Sequence, residues 1–201
     1  MRKTMIIAMV TLFAVLAFVS HSHAKGYPPN YVALKLGGFF PVSSDLDDIN
    51  ADAGFNGEIS FGHYIAPGFS VEGAVGYFET EANISVPGGS AEETFEVIPL
   101  TLSLRGHVPY GRFEPYGLIG IGVYLVDDEI SGSIPSLGVS GSASDDDTVL
   151  GFHIGLGGTC TFPNNVFVGV EGRYLFLETD TFDVDFRLDG IALTGTVGYR
   201  F

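Results

Sequence analysis

The sequence predicts an all-β protein, an eight-stranded antiparallel up-and-down transmembrane β-barrel preceded by a signal peptide. Three observations carry the prediction. The chain ends in an unbroken alternation, with Ile191, Leu193, Gly195, Val197, Tyr199 and Phe201 on one face and Ala192, Thr194, Thr196, Gly198 and Arg200 on the other. A period of two belongs to a β-strand lying between an apolar and a polar medium. The connections between such segments are alternately short and long. Charged residues within the segments fall almost entirely on one of the two faces, and the other face is oily.

The first element is not part of the barrel. Arg2 and Lys3 precede an apolar stretch from Met5 to Ser20, and Ser22-His23-Ala24 then offers small residues at the positions a signal peptidase reads. That order predicts a cleaved export signal over residues 1–24 and a barrel domain over residues 25–201. The apolar stretch is short of the roughly 20 residues that span a bilayer as a helix.

The strands follow in order. The first, Tyr31–Phe40, sets Val32, Leu34, Leu36 and Phe40 against Ala33, Lys35 and Gly37. The second, Phe55–Tyr64, sets Phe55, Ile59 and Phe61 against Asn56, Glu58 and Ser60. The third, Phe69–Glu79, sets Phe69, Val71, Val75 and Tyr77 against Ser70, Glu72 and Ala74. The fourth, Phe95–Val108, carries Ile98, Leu100, Leu102 and Leu104 opposite Thr101, Ser103, Arg105 and His107. Pro99 falls inside it, and because proline donates nothing to a sheet ladder a bulge or a strand start is expected there.

The fifth strand, Glu114–Val126, has Ile119, Ile121, Val123 and Leu125 on its oily face, with Leu118 a mild exception on the polar one. The sixth, Thr148–Thr161, has Leu150, Phe152, Ile154 and Leu156 opposite His153 and a series of glycines. The seventh, Val166–Leu177, has Val166, Val168, Val170, Tyr174 and Phe176 opposite Gly169, Glu171 and Arg173. The eighth is the terminal strand. Residues 65–68, 109–112 and 163–165 are tight turns, whereas Pro41–Gly54, Thr80–Thr94, Asp127–Asp147 and Glu178–Asp189 read as long acidic loops. Short turns on one side and long loops on the other are the architecture of bacterial outer-membrane barrels.

Composition narrows the function. A formal net charge of −15 repels phosphate backbones, so no nucleic-acid partner is expected. Cys160 is the single cysteine, which excludes an intramolecular disulfide and reads as a small apolar filler. An eight-stranded barrel is only wide enough inside for its own side chains. Lys35, Glu58, Glu72, Arg105, Glu171, Arg173 and Arg200 all belong to the inward rows. Buried charges must pair, so these four cations and three anions predict an internal salt-bridge network that plugs the lumen. The same residues read functionally are an ion pathway.

Tyr31-Val32-Ala33-Leu34-Lys35-Leu36-Gly37, Pro99-Leu100-Thr101-Leu102, Glu114-Pro115-Tyr116-Gly117 to Gly122, and Val197-Gly198-Tyr199-Arg200-Phe201 resemble the small outer-membrane β-barrel family of OmpA-type transmembrane domains, OmpX and opacity-like porin-family proteins. The resemblance covers nearly all of Gly26–Phe201. It implies a bacterial outer-membrane location, contact with membrane lipid and lipopolysaccharide, and recognition of Tyr199 and Phe201 by the barrel-insertion machinery. Trp is absent, so an aromatic girdle would consist of Tyr and Phe. The peptidoglycan anchoring of longer OmpA-type proteins is not expected to carry over, since the barrel pattern runs to Phe201.

Catalysis has little support. His63 and His107 fall near the short turns, and His153 points inward with no serine evident opposite it. The glycine runs Gly117–Gly122 and Gly155–Gly158 sit inside strands and open no helix, so they make space or curvature rather than a nucleotide loop. No cofactor is expected. The acidic loops read as solvated surface, with an extracellular ligand or divalent-cation binding as the alternative; their spacing matches no EF-hand and names no metal ligands. The sequence thus points to a structural and surface-interaction barrel of the outer membrane, not an enzyme. A narrow porin-like channel or transporter for small ions or apolar molecules is the alternative, and an outer-membrane lipid-modifying enzyme the third reading.

Overall fold

A computed structural model of the chain describes residues 28–42, 53–86, 89–134, 139–181, 184–187 and 189–201. The export segment 1–24 lies outside the described residues. Among the described residues nine strands follow one another: β1 (Asn30–Pro41), β2 (Gly54–Ala66), β3 (Phe69–Val86), β4 (Gly89–His107), β5 (Phe113–Ile134), β6 (Val139–Thr161), β7 (Val166–Thr181), β8 (Val184–Arg187) and β9 (Gly190–Arg200). Each of β1 to β7 pairs antiparallel with the next, β7 also pairs with β9, and β9 pairs with β1, so eight strands close into a barrel. The short β8 forms a hairpin with the far end of β7 and takes no part in the closure.

The barrel is staggered. Moving between directly paired residues from Phe167 on β7 leads through Gly198, Ala33, Ser60, Ala74, Thr101, Gly122 and Gly151 back to β7 at Leu177, ten residues further along. Such a shear tilts the strands and is fixed once the register is fixed. Where the first and last strands meet, Asn30 and Phe201 exchange backbone hydrogen bonds of 3.1 and 2.9 Å.

The inward and outward rows follow the alternation. Outward leucines and isoleucines stand bare on the wall, Leu156 being 74% exposed, while inward Lys35 is 1% exposed. A charge on the wall would cost roughly 2–4 kcal/mol for Arg or Lys at mid-depth, which is why the cations sit on the other face. Leu118 does point inward and is buried. Large inward rings lie over inward glycines of the neighbouring strand: Tyr31 opposite Gly62, Tyr116 opposite Gly157, Phe167 opposite Gly198. A Cβ on Gly157 would collide with the Tyr116 ring, so the glycines create the room these rings fill.

Two expectations need correction. Pro99 marks neither a strand start nor a bulge. It sits ten residues inside β4, and the β3–β4 register is the same on both sides of it, at Val75↔Leu100 and Phe78↔Val97. The ladder simply omits the two intervening pairs on the β3 side, where the missing N–H falls, and Gly76 opposite leaves space for the ring: a Cβ there would lie 3.1 Å from Pro99 Cγ. Among the described residues the register shifts instead at Tyr64/Ala66, beside the turn between β2 and β3.

The long acidic loops Thr80–Thr94, Asp127–Asp147 and Glu178–Asp189 are also largely strand where described, whereas most of Pro41–Gly54 lies outside the described residues. β3 and β4 pair as far as Val86↔Gly89, and β5 and β6 as far as Ile134↔Val139. Backbone pairing continues there although the acidic residues break the apolar alternation of the membrane-spanning part. β1 and β9 have 12 and 11 residues, the length a tilted transmembrane strand needs, whereas β5 and β6 have 22 and 23. The excess length carries β3 to β6 beyond the barrel as a four-stranded sheet. At the opposite end the tight turns are made by left-handed residues, Gly68 at φ 81°, Gly111 at φ 63° and Asn165 at φ 66°.

Candidate functional site: the charged lumen

The site is built by parity. Inward positions on seven strands aim their charges at the barrel axis, and the stagger brings distant residues to one level. At the middle level Lys35 Nζ donates to Glu58 Oε1 at 2.6 Å, Glu72 Oε1 at 2.7 Å and Glu171 Oε1 at 3.2 Å. Arg105 Nη2 donates to Glu72 and, at 2.6 Å, to Glu171 Oε2. Arg173 donates to both oxygens of Glu58, at 2.9 and 3.2 Å, and to Glu171 Oε1 at 2.6 Å. Tyr31 and Tyr116 hydroxyls donate to Glu72 and Glu171 at 2.9 and 2.8 Å. Three cations thus face three carboxylates, and the guanidinium of Arg105 also lies 4.5 Å above the Tyr116 ring centre.

Arg200 does not join this group. It belongs to a second cluster at the turn end, where it donates to Glu114 Oε2 at 3.1 Å. Tyr64 donates to Glu114 Oε1 at 2.6 Å. Glu114 is the residue the sequence reading missed. Its parity with Tyr116 was the available signal, since both lie on the inward row of β5. With it the buried charges among the described residues are four cations, Lys35, Arg105, Arg173 and Arg200, and four carboxylates, Glu58, Glu72, Glu114 and Glu171.

Toward the far end the lining changes character. Phe39, Phe78, Val97, Tyr124, Leu175 and Leu177 belong to one buried apolar cluster, with Phe39 and Phe78 stacked at 4.5 Å. The interior is therefore layered: an Arg–Glu–Tyr cluster at the turn end, the six-residue charge network, then hydrocarbon.

The histidines have partners the linear sequence concealed. His153 Nε2 lies 2.8 Å from Ser103 Oγ, because Ser103, Gly120 and His153 occupy one row across β4, β5 and β6. This corrects the expectation that no serine stands opposite His153. Gly120 makes the contact possible, since any Cβ there would collide with the His153 ring. His107 lies between Ser70, 2.7 Å from its Nε2, and Glu114, 2.7 Å from its Nδ1, though the latter contact is poorly aligned for a hydrogen bond. Both arrangements superficially match acyl-transfer chemistry. Ser70 is 0% and Ser103 2% exposed, so neither oxygen can meet a substrate carbonyl in this conformation. His63 stands apart on β2, 2.8 Å from Asn30 Oδ1. Among the described residues no group of His, Cys, Asp and Glu could hold a metal ion.

A closed eight-stranded barrel with oily walls and an ionised interior is the architecture of a small outer-membrane protein. Residues 10–201 match the family model of the outer membrane protein beta-barrel domain, and the chain belongs to that family, which places it in the bacterial outer membrane. Neisserial surface protein A is similar in fold, at 18% identity and a TM-score of 0.56 over 88% of this chain and 100% of that one. The outer membrane protein OprG of Pseudomonas aeruginosa is similar at 13% identity and a TM-score of 0.54, over 87% and 97% of the two chains. These likenesses concern the fold alone. No curated protein matches the sequence.

Proposed function

We propose that the protein is a non-conducting outer-membrane barrel whose lumen is plugged by its own side chains and whose role lies in envelope structure and in contacts made at the far, extracellular end. The observation that carries this reading is the charge-balanced network around Lys35, in which all three carboxylates accept from at least two cations. A permeating ion would have to displace these pairs and then cross the apolar layer of Phe39, Phe78 and Leu177. Burial of Ser70 and Ser103 speaks against hydrolysis of lipid esters. In this reading residues 1–24 direct export and are removed, Tyr199 and Phe201 are recognised by the barrel-insertion machinery, and lipopolysaccharide surrounds the outer half of the wall.

Planar-bilayer recording of the refolded barrel tests it. The expected result is an absence of stepwise currents from wild type. Stable ohmic channels would overturn the plugged-lumen reading in favour of the porin-like one.

A further inference from the structure

A barrel closed inside must act through its surface, and the contact inferred for that surface rests on the plugged-lumen reading. β3 has strand partners on both sides only as far as Phe78, which pairs with Asn56. From Glu79 to Val86 its partner among the described residues is β4 alone. Among the described residues, the four-stranded sheet beyond the barrel therefore has an edge along Glu79–Val86. An edge strand presents a row of backbone donors and acceptors, which is a template for one more strand. Natural edges are blunted by shortness, proline or charged side chains; Glu79–Val86 has eight residues and no proline, and its charges, Glu79 and Glu81, are both acidic, so they guard the edge against acidic strands and not against basic ones.

Charge identifies the partner. Register sets Glu79, Glu96, Asp127 and Asp146 directly opposite one another across β3, β4, β5 and β6. The Tyr77 hydroxyl meets Glu79 at 2.6 Å and Glu96 at 3.1 Å, below that row. Residues 79–96 and 127–147 together contain eleven Asp and Glu and no Lys, Arg or His. Like charges directly opposite are destabilising in a sheet. A second copy of this chain, edge to edge, would add to the repulsion, and so would any acidic segment. The geometry points to the β3 edge, Glu79–Val86, as a strand-addition site for an extended lysine- or arginine-rich peptide segment. Backbone pairing supplies the adhesion, and the carboxylates select its sign.

The test uses the full barrel in nanodiscs and an alternating lysine–threonine peptide long enough to span Glu79–Val86. Two further peptides carry N-methyl groups on alternate residues, one set in each phase. Strand addition exposes only one edge of the added peptide to β3, so one methylated peptide should bind about as well as the parent and the other roughly tenfold or more weakly. Binding should weaken with added salt and in a Glu79→Gln/Glu81→Gln variant. Equal binding of both methylated peptides would reduce the contact to unspecific charge attraction and overturn the proposal. Absence of parent-peptide binding, or self-association of the barrel through this edge, would overturn it as well. Conductance measured on the same preparations reads the plugged lumen separately, so either idea can fail without the other.

Discussion

Glu171 accepts hydrogen bonds from Lys35, Arg105, Tyr116 and Arg173. Removing its charge leaves three buried cations facing two carboxylates. Glu171→Gln and Arg105→Ala should each destabilise the barrel by about 3–5 kcal/mol, because a broken buried pair strands its partner. Urea unfolding in detergent, or the heat-modifiability midpoint, reads the loss; an unchanged midpoint would show that water reaches the network. The Arg200–Glu114 contact should behave as a pair. In a double-mutant cycle of Arg200→Met and Glu114→Met the two changes should fail to add by about 1 kcal/mol or more, and additive losses would place the two residues in separate environments. The seven charges on the inward rows were legible from parity alone. Glu114 was not, because it precedes Pro115 at the start of its strand, where a charged residue next to a turn reads as solvated. Nor could parity show that Arg200 sits at a different level from Lys35, since level depends on stagger, and stagger is a property of all eight strands together.

At the level of the strand, the inward glycines are spacers with defined neighbours. Gly120→Ala and Gly157→Ala would drive a methyl into His153 and Tyr116, and each should cost about 1–3 kcal/mol. Gly172 differs, because a Cβ there would meet only the tip of Leu193, at 3.2 Å. Gly172→Ala should remain within about 0.5 kcal/mol of wild type, and unfolding midpoints of the three variants side by side would check the contrast. The membrane-spanning part of each strand was readable because lipid on one side and packed polar groups on the other impose a period of two. Beyond the lipid that constraint ends, so Thr80–Thr94 and Asp127–Asp147 resemble loops in sequence while their backbones remain paired. Pro99 was misread for a related reason: the sequence announces a missing donor but not the small partner, Gly76, that accommodates the ring without a change of register.

For the molecule as a whole, closure depends on the first and last strands, β1 and β9, meeting. Phe201 exchanges two backbone hydrogen bonds with Asn30 and packs its ring 6.4 Å from that of Phe61. Backbone bonds of this kind contribute about 0.5–1.5 kcal/mol each. Deleting Phe201 should therefore leave a barrel that still refolds in detergent, while assembly into cell envelopes falls steeply if the terminal aromatic is a recognition element. Quantifying folded barrel in outer-membrane fractions and in detergent separates the two; equal losses in both would make the residue a structural one only. A further consequence concerns the eight ionised groups inside. Their charges cancel, so the whole formal −15 of the chain is carried elsewhere. An electric potential across the membrane thus finds no net charge on the packed axis to pull on. Electrophoretic mobility and retention on an anion exchanger should instead report the protein's water-facing acids.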